Sequence, residues 1–148
     1  MQQKKYGDDF EVGEVYNTRG ITVTETHMVN WASLTMDFYP LHMDKEYAGR
    51  SPFGERLVHG PLVFALAVGL VNSEFTGESA FAWLGIEALK MTGPVRINDT
   101  ISVTVTVLDK KKTKKPGRGI QTWRYSVKNQ KGQEIMVFDY KMMFYMIK

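Results

Sequence analysis

The chain contains no cysteine, which excludes disulfides, thiolate metal sites and thiol nucleophiles together. Histidine is scarce. His27, His42 and His59 are the only three, and their separation along the chain is not that of a metal-ligand motif, so the sequence predicts no metal. No apolar run reaches the roughly 18 residues of a membrane span. The opening stretch Met1–Asp9 is polar and lacks the apolar centre of a secretory signal, so a cytoplasmic protein without a membrane partner is the expectation. Neither sign of charge dominates: 19 Lys and Arg against 16 Asp and Glu leave a formal +3. Much of the positive charge gathers in Lys110, Lys111, Lys112, Lys114, Lys115 and Arg118. By composition this is a solvated hairpin turn that can also grip a phosphate-bearing ligand. It has no interleaved aromatics, which is thin support for binding nucleic acid.

What is present fits one domain over residues 1–148. With 43% hydrophobic and 24% charged residues, a chain of this size can bury roughly 68–70% of its unfolded surface. Phe10–Val12 and Ile21–Val23, punctuated by Gly13 and Gly20, read as brief strands. Thr24 is an N-cap, with Glu25 in the first turn, for a helix that ends at Asp37. Pro40 stops that helix and pushes Tyr39 out of helical backbone, leaving a rigid loop from Asp37 to His42. Asp44 caps a short helix that Gly49 terminates. From Gly60 to about Phe75 a second long helix is apolar on nearly every face, with Pro61 in its first turn, so it must be buried on all sides. Four β-rich runs follow, Ala80–Met91, Thr100–Leu108, Gly119–Lys128 and Glu134–Tyr145. The residues alone therefore predict an α+β fold in which a helix packs against a curved antiparallel sheet.

Two features carry chemistry. Asp37 and His42 flank a short proline-containing turn, and a carboxylate beside an imidazole can act with it on one water. Alone, that spacing equally fits a capped turn and a surface histidine. The second feature is Gly60, whose unshielded N–H at a helix start, aided by the helix dipole, suits an oxygen gaining negative charge. His59 reads as a helix cap, a pocket-lining group or a structural histidine. Trp31, Trp83 and Trp123 read as packing residues of the core or of a dimer.

The Asp37/Pro40/His42 spacing, the segment Phe53-Gly54-Glu55-Arg56-Leu57-Val58-His59-Gly60 and the order of helices before strands resemble the MaoC-like dehydratases, which include the (R)-specific enoyl-CoA hydratases. The family usually reads Gly before the Asp and Asn two residues after it; here Met36 and Tyr39 stand there. The resemblance implies a hot-dog fold over the whole chain, and a homodimer joined edge to edge with the active site between subunits. It implies Asp37 and His42 as the catalytic pair and the Gly60 N–H as the donor to a thioester carbonyl. Tyr39 stands where the family's Asn would donate, and Arg118 is the candidate for the coenzyme's phosphates. Coenzyme A would enter as part of the substrate, with acyl-carrier protein as an alternative carrier and no separate cofactor. The rival readings are a hot-dog thioesterase and a non-catalytic acyl-thioester binder.

Overall fold

The structure, a computed structural model, describes residues 5–147, so the first residues of the polar Met1–Asp9 stretch lie outside it. Two brief strands, β1 (Val15–Asn17) and β2 (Ile21–Thr22), precede the helices. Phe10–Val12 is not the first of them. Phe10 is instead a fully buried plug, edge-on to Trp123 with ring centroids 4.8 Å apart, because the 3-10 turn Gly7–Asp9 aims it into the core before pairing begins at Val15.

Thr24 holds extended backbone ahead of α1 (Glu25–Thr35), and its N–H donates to His27 Nδ1 at 3.0 Å, a reciprocal cap in the manner of a capping box. Met36 ends α1 in left-handed backbone, φ 64° and ψ 16°. Pro40 then opens a helical turn, α2 (Pro40–Met43), rather than merely blocking α1. At the first helical position its missing N–H is one that would have been unpaired anyway. Asp44 Oδ1 accepts the Tyr47 N–H at 2.9 Å and caps α3 (Lys45–Gly49).

The apolar helix is α4 (Gly60–Val71), continued by a wider π-type turn over Asn72–Thr76. Its Leu62, Val63, Ala67, Leu70 and Val71 are buried in one core with the inward faces of β4 (Thr100–Lys112), β5 (Arg118–Lys128) and β6 (Glu134–Tyr145). Strict alternation supplies those faces: Val103, Val105 and Val107, then Trp123, Tyr125 and Val127, then Phe138, Tyr140, Met142 and Phe144. Burying each such side chain is worth about 1.5–3 kcal/mol against leaving it in water. The Trp123 indole is satisfied inside by Gln121 Oε1 at 2.8 Å, and Gln121 in turn donates to the Gly7 carbonyl at 2.6 Å. Gly7 must be glycine, since a Cβ there would stand 2.7 Å from Phe144 Cβ.

The sheet is antiparallel with strand order β1-β4-β5-β6-β3, and β2 also pairs with β4. β4 runs past Leu108 to Lys112, so part of the basic run is ladder rather than turn: Lys110, Lys111 and Lys112 pair with Gln121, Ile120 and Gly119. Lys110 Nζ donates to the Phe10 carbonyl at 2.9 Å and meets Glu11 at 3.1 Å, and Lys111 meets Asp109 at 2.9 Å. β3 (Ala80–Met91) forms the far edge and pairs with β6 alone. It carries Trp83, Leu84, Leu89 and Met91 in exposed positions. No helix among the described residues is long and apolar enough to cross a membrane.

Candidate active site

α1, α2 and the entry to α4 deliver Asp37, His42 and His59 to one place. A carboxylate oxygen of Asp37 and one ring nitrogen from each histidine all lie within 4.8 Å of one another. The Asp37 turn is set locally. The left-handed Met36 reverses the chain, the Phe38 N–H donates to the Met36 carbonyl at 3.1 Å, and the Tyr39 N–H reaches Asp37 Oδ1 at 3.4 Å. Met36 thus fills, at the cost of left-handed strain, the position where glycine would enter that backbone freely.

His42 comes from α2, and its Nδ1 lies 2.8 Å from the Leu57 carbonyl. A carbonyl only accepts, so Nδ1 carries the hydrogen and Nε2 of the neutral ring keeps its lone pair. His59 precedes α4 and is fully buried. Its Nε2–H donates to the main-chain carbonyl of Asp37 at 3.0 Å, and its ring stacks on His42 with centroids 4.0 Å apart and planes 29° from parallel. Burial is the main force lowering its proton affinity below the ordinary 6.5, and the nearby His42 adds to it.

The sequence placed these histidines too far apart to cluster; the fold overturns that argument by stacking His42 on His59. By distance the three groups are candidate ligands of an ion. Two of the four ring nitrogens are already committed, His42 Nδ1 to the Leu57 carbonyl and His59 Nε2 to the Asp37 carbonyl. The arrangement suits proton transfer, with an imidazole and a carboxylate close enough to act on one water.

Gly60 is the first residue of α4 and follows His59 directly. Its φ is not in the left-handed region, and a Cβ there would meet only Met91 Sδ, at an ordinary 3.8 Å. Backbone sterics therefore do not demand glycine here. N–H groups of a first helical turn have no partner within the helix, and Pro61 offers none, so Gly60 and Leu62 supply the donors at this end.

Tyr39 is half exposed, and its ring lies edge-on to His42 at 6.0 Å. Its hydroxyl is engaged with Tyr47, which raises the phenol above its ordinary 10. The structure does not bring Arg118 to this site within the chain. Arg118 pairs with Tyr145 and sits over the Phe81 ring at 5.5 Å, at the Ala80 end of β3, whereas Gly60 lies by Met91 at the other end. At about 3.3 Å per residue the 12 residues of β3 separate the two by a distance on the order of 35 Å. The residue that sequence reasoning set aside is His59. Its signals were its place beside Gly60 at a helix start and its membership of the Phe53–Gly60 segment; the partners that define it, Asp37 and His42, are remote in sequence.

A family model described as the MaoC like domain matches residues 9–129. The chain is 35% identical over 133 residues to protein MaoC of Klebsiella aerogenes, covering 84% of this chain and 39% of that protein. It is 34% identical over 86 residues to the (R)-specific enoyl-CoA hydratase of Rhodospirillum rubrum, 58% of each. The chain thus spans less than two thirds of the length of these relatives. Among solved structures it is similar to a protein from Archaeoglobus described as a monoamine oxidase regulatory protein, with a TM-score of 0.89 at 32% identity over 97% of this chain and 96% of that one. It also matches a Mycobacterium tuberculosis protein with a double hotdog fold, TM-score 0.86 at 20% identity, over 97% of this chain and 44% of that one. The helix and its antiparallel wrapper are the α+β fold expected from the residues, and the hot-dog fold that the family resemblance implied.

Proposed function

Since this chain belongs to the MaoC-like domain family, we propose that it is a hydratase or dehydratase that adds water reversibly across the C2=C3 bond of a 2-enoyl thioester to give the 3-hydroxyacyl thioester. The observation that carries this reading is the gathering of the Asp37 carboxylate and the His42 ring within 4.8 Å near the head of α4, with His42 Nδ1 held by the Leu57 carbonyl so that Nε2 is left for the water. Water bound between them gives a proton to His42 Nε2 as its oxygen attacks C3, while the Asp37 carboxylate orients it. The electron pair of the double bond moves toward the carbonyl, where the Gly60 N–H stabilises the enolate-like oxygen. A proton returned by the pair to C2 completes the addition. Dehydration runs the same steps backwards.

This chemistry calls for no cofactor, and coenzyme A enters as part of the substrate. The name of the Rhodospirillum rubrum relative supports that carrier. The proposal treats residues 1–148 as one hot-dog unit acting in the cytoplasm. The thioesterase rival uses an acidic residue on or near the central helix; Gly60–Val71 contains none, and Glu74 in the turn that continues it is paired with Arg19.

The proposed assembly is a homodimer joined through β3. An edge strand of this length with exposed Trp83, Leu84 and Leu89 invites pairing. In a two-fold antiparallel pairing the partner's Ala80 end lies beside this chain's Met91 end. That arrangement brings the partner's Arg118 toward this chain's site and gives it access to coenzyme phosphates that it cannot reach in its own subunit. Hydration of a short trans-2-enoyl-CoA, followed by loss of enoyl absorbance, tests the proposal. Turnover that collapses in folded Asp37→Asn and His42→Ala supports it, and no turnover across several chain lengths contradicts it.

A further inference from the structure

We infer that His59 is a positioning residue, which ties the turn carrying Asp37 to the helix start carrying Gly60 and fixes the face of the His42 ring; the inference rests on the hydratase reading above. Two separate contacts carry it. The first is the Nε2–H bond to the Asp37 carbonyl at 3.0 Å. Met36 already turns the peptide before Asp37, and the Phe38 N–H returns to Met36. Holding the carbonyl fixes the peptide after it, so the direction in which the carboxylate leaves the backbone is set from both sides. The second contact is the stack on His42 at 4.0 Å.

Both restraints on His42 come from one short segment. The Leu57 carbonyl takes the His42 Nδ1–H, His59 covers the ring face, and between them the Val58 N–H is anchored to the Val95 carbonyl at 2.8 Å. Leu57, Val58 and His59 are therefore a fixed strip against which the His42 ring is set. Because His59 continues directly into Gly60, the same strip fixes the helix-start N–H relative to the pair.

Core packing alone does not explain an imidazole here. The side chain is fully buried, and its Nδ1 meets no hydrogen-bonding partner among the described residues. A buried polar atom left unpaired costs stability that an apolar side chain would not. The groups facing His59 are Asp37 and His42, and burial together with His42 keeps His59 on the neutral side. A neutral neighbour leaves His42 as the member of the stack that takes up the proton.

Three substitutions separate the contacts: His59→Leu removes both ring and donor, His59→Phe keeps a ring to stack, and His59→Gln keeps a side-chain N–H. Each is compared with wild type for kcat and KM of enoyl-CoA hydration, with thermal melting as the check of folding. The Leu and Phe variants are expected to lose kcat on the order of 10²-fold, the cost of a misplaced reacting group, with KM within a few-fold. Gln recovers part of the loss. A folded Leu variant with wild-type kcat overturns the inference, as does a Gln variant no better than Leu. Nitrogen NMR of the His42 ring gives an arm independent of turnover: one sharp set of ring signals in wild type that broadens by exchange in the Leu variant, where the stacked face is lost, supports positioning, and signals that stay equally sharp overturn it. A wild type without turnover strikes the hydratase reading instead, and leaves the NMR comparison to decide the role of His59.

Discussion

The His59 Nε2–H reaches back to the main-chain carbonyl of Asp37 at 3.0 Å, so the residue just before α4 holds the turn that follows α1. One hydrogen bond thereby joins the two halves of the site, the carboxylate turn and the helix start. The buried donor also makes the fold sensitive to acid. Burial lowers the His59 proton affinity below the ordinary 6.5, so below that pH the unfolded chain binds a proton that the folded chain resists. The His59 contribution is complete above about 6.5 and is lost as pH falls from there toward the lowered folded value. Urea midpoints on either side of that pH are expected to drop on the acid side in wild type, and to drop less in His59→Gln. An equal drop in both would show that other groups set the acid sensitivity.

Met36 spends left-handed backbone on a side chain that is 76% exposed and packs little. Met36→Gly is expected to raise stability by up to about 1 kcal/mol, since relief of the left-handed cost outweighs the added freedom of glycine in the unfolded chain. Thermal melting checks this, and a lower midpoint would mean that the Met36 side chain contributes packing after all.

The exposed edge of β3 carries the dimer proposal. Leu84→Lys combined with Leu89→Lys places charge on two half-exposed apolar positions and is expected to yield a monomer by light scattering, because inserted charges are how natural edge strands resist pairing. A mass unchanged from wild type would move the interface elsewhere.

Arg118 is predicted to act across that interface. Arg118→Glu is expected to raise KM for an enoyl-CoA several-fold with kcat nearly unchanged, the pattern of lost uniform binding. An unchanged KM would return Arg118 to its local role over Phe81.

The parts of the fold governed by local rules were legible. The Thr24 cap and the Asp37 turn bound α1, and Asp44 capped α3 as its residue type demands. β-rich composition located the long strands, and β6 begins and ends as its run reads. The errors arose where a distant partner overrides a local pattern. Phe10 resembles a strand residue until Trp123 is placed beside it. The lysines after Leu108 read as turn because their pairing to Gly119–Gln121 is not visible in their own composition. At the site, Asp37 and His42 share one turn and were found together. His59 reaches them only through the tertiary packing of α4, and Arg118 was drawn in by its charge although the sheet carries it to the opposite end.

A double-mutant comparison on kcat tests the central claim, that Asp37 and His42 act as one unit on one water, most directly. Asp37→Asn, His42→Ala and the double variant are assayed for hydration of a short trans-2-enoyl-CoA, with folding checked for each. The account predicts that each single change lowers kcat by about 10²–10⁴-fold and that the double variant falls no further, since the second loss removes a partner already idle. Losses that multiply in the double variant, or turnover indifferent to either residue, would contradict it.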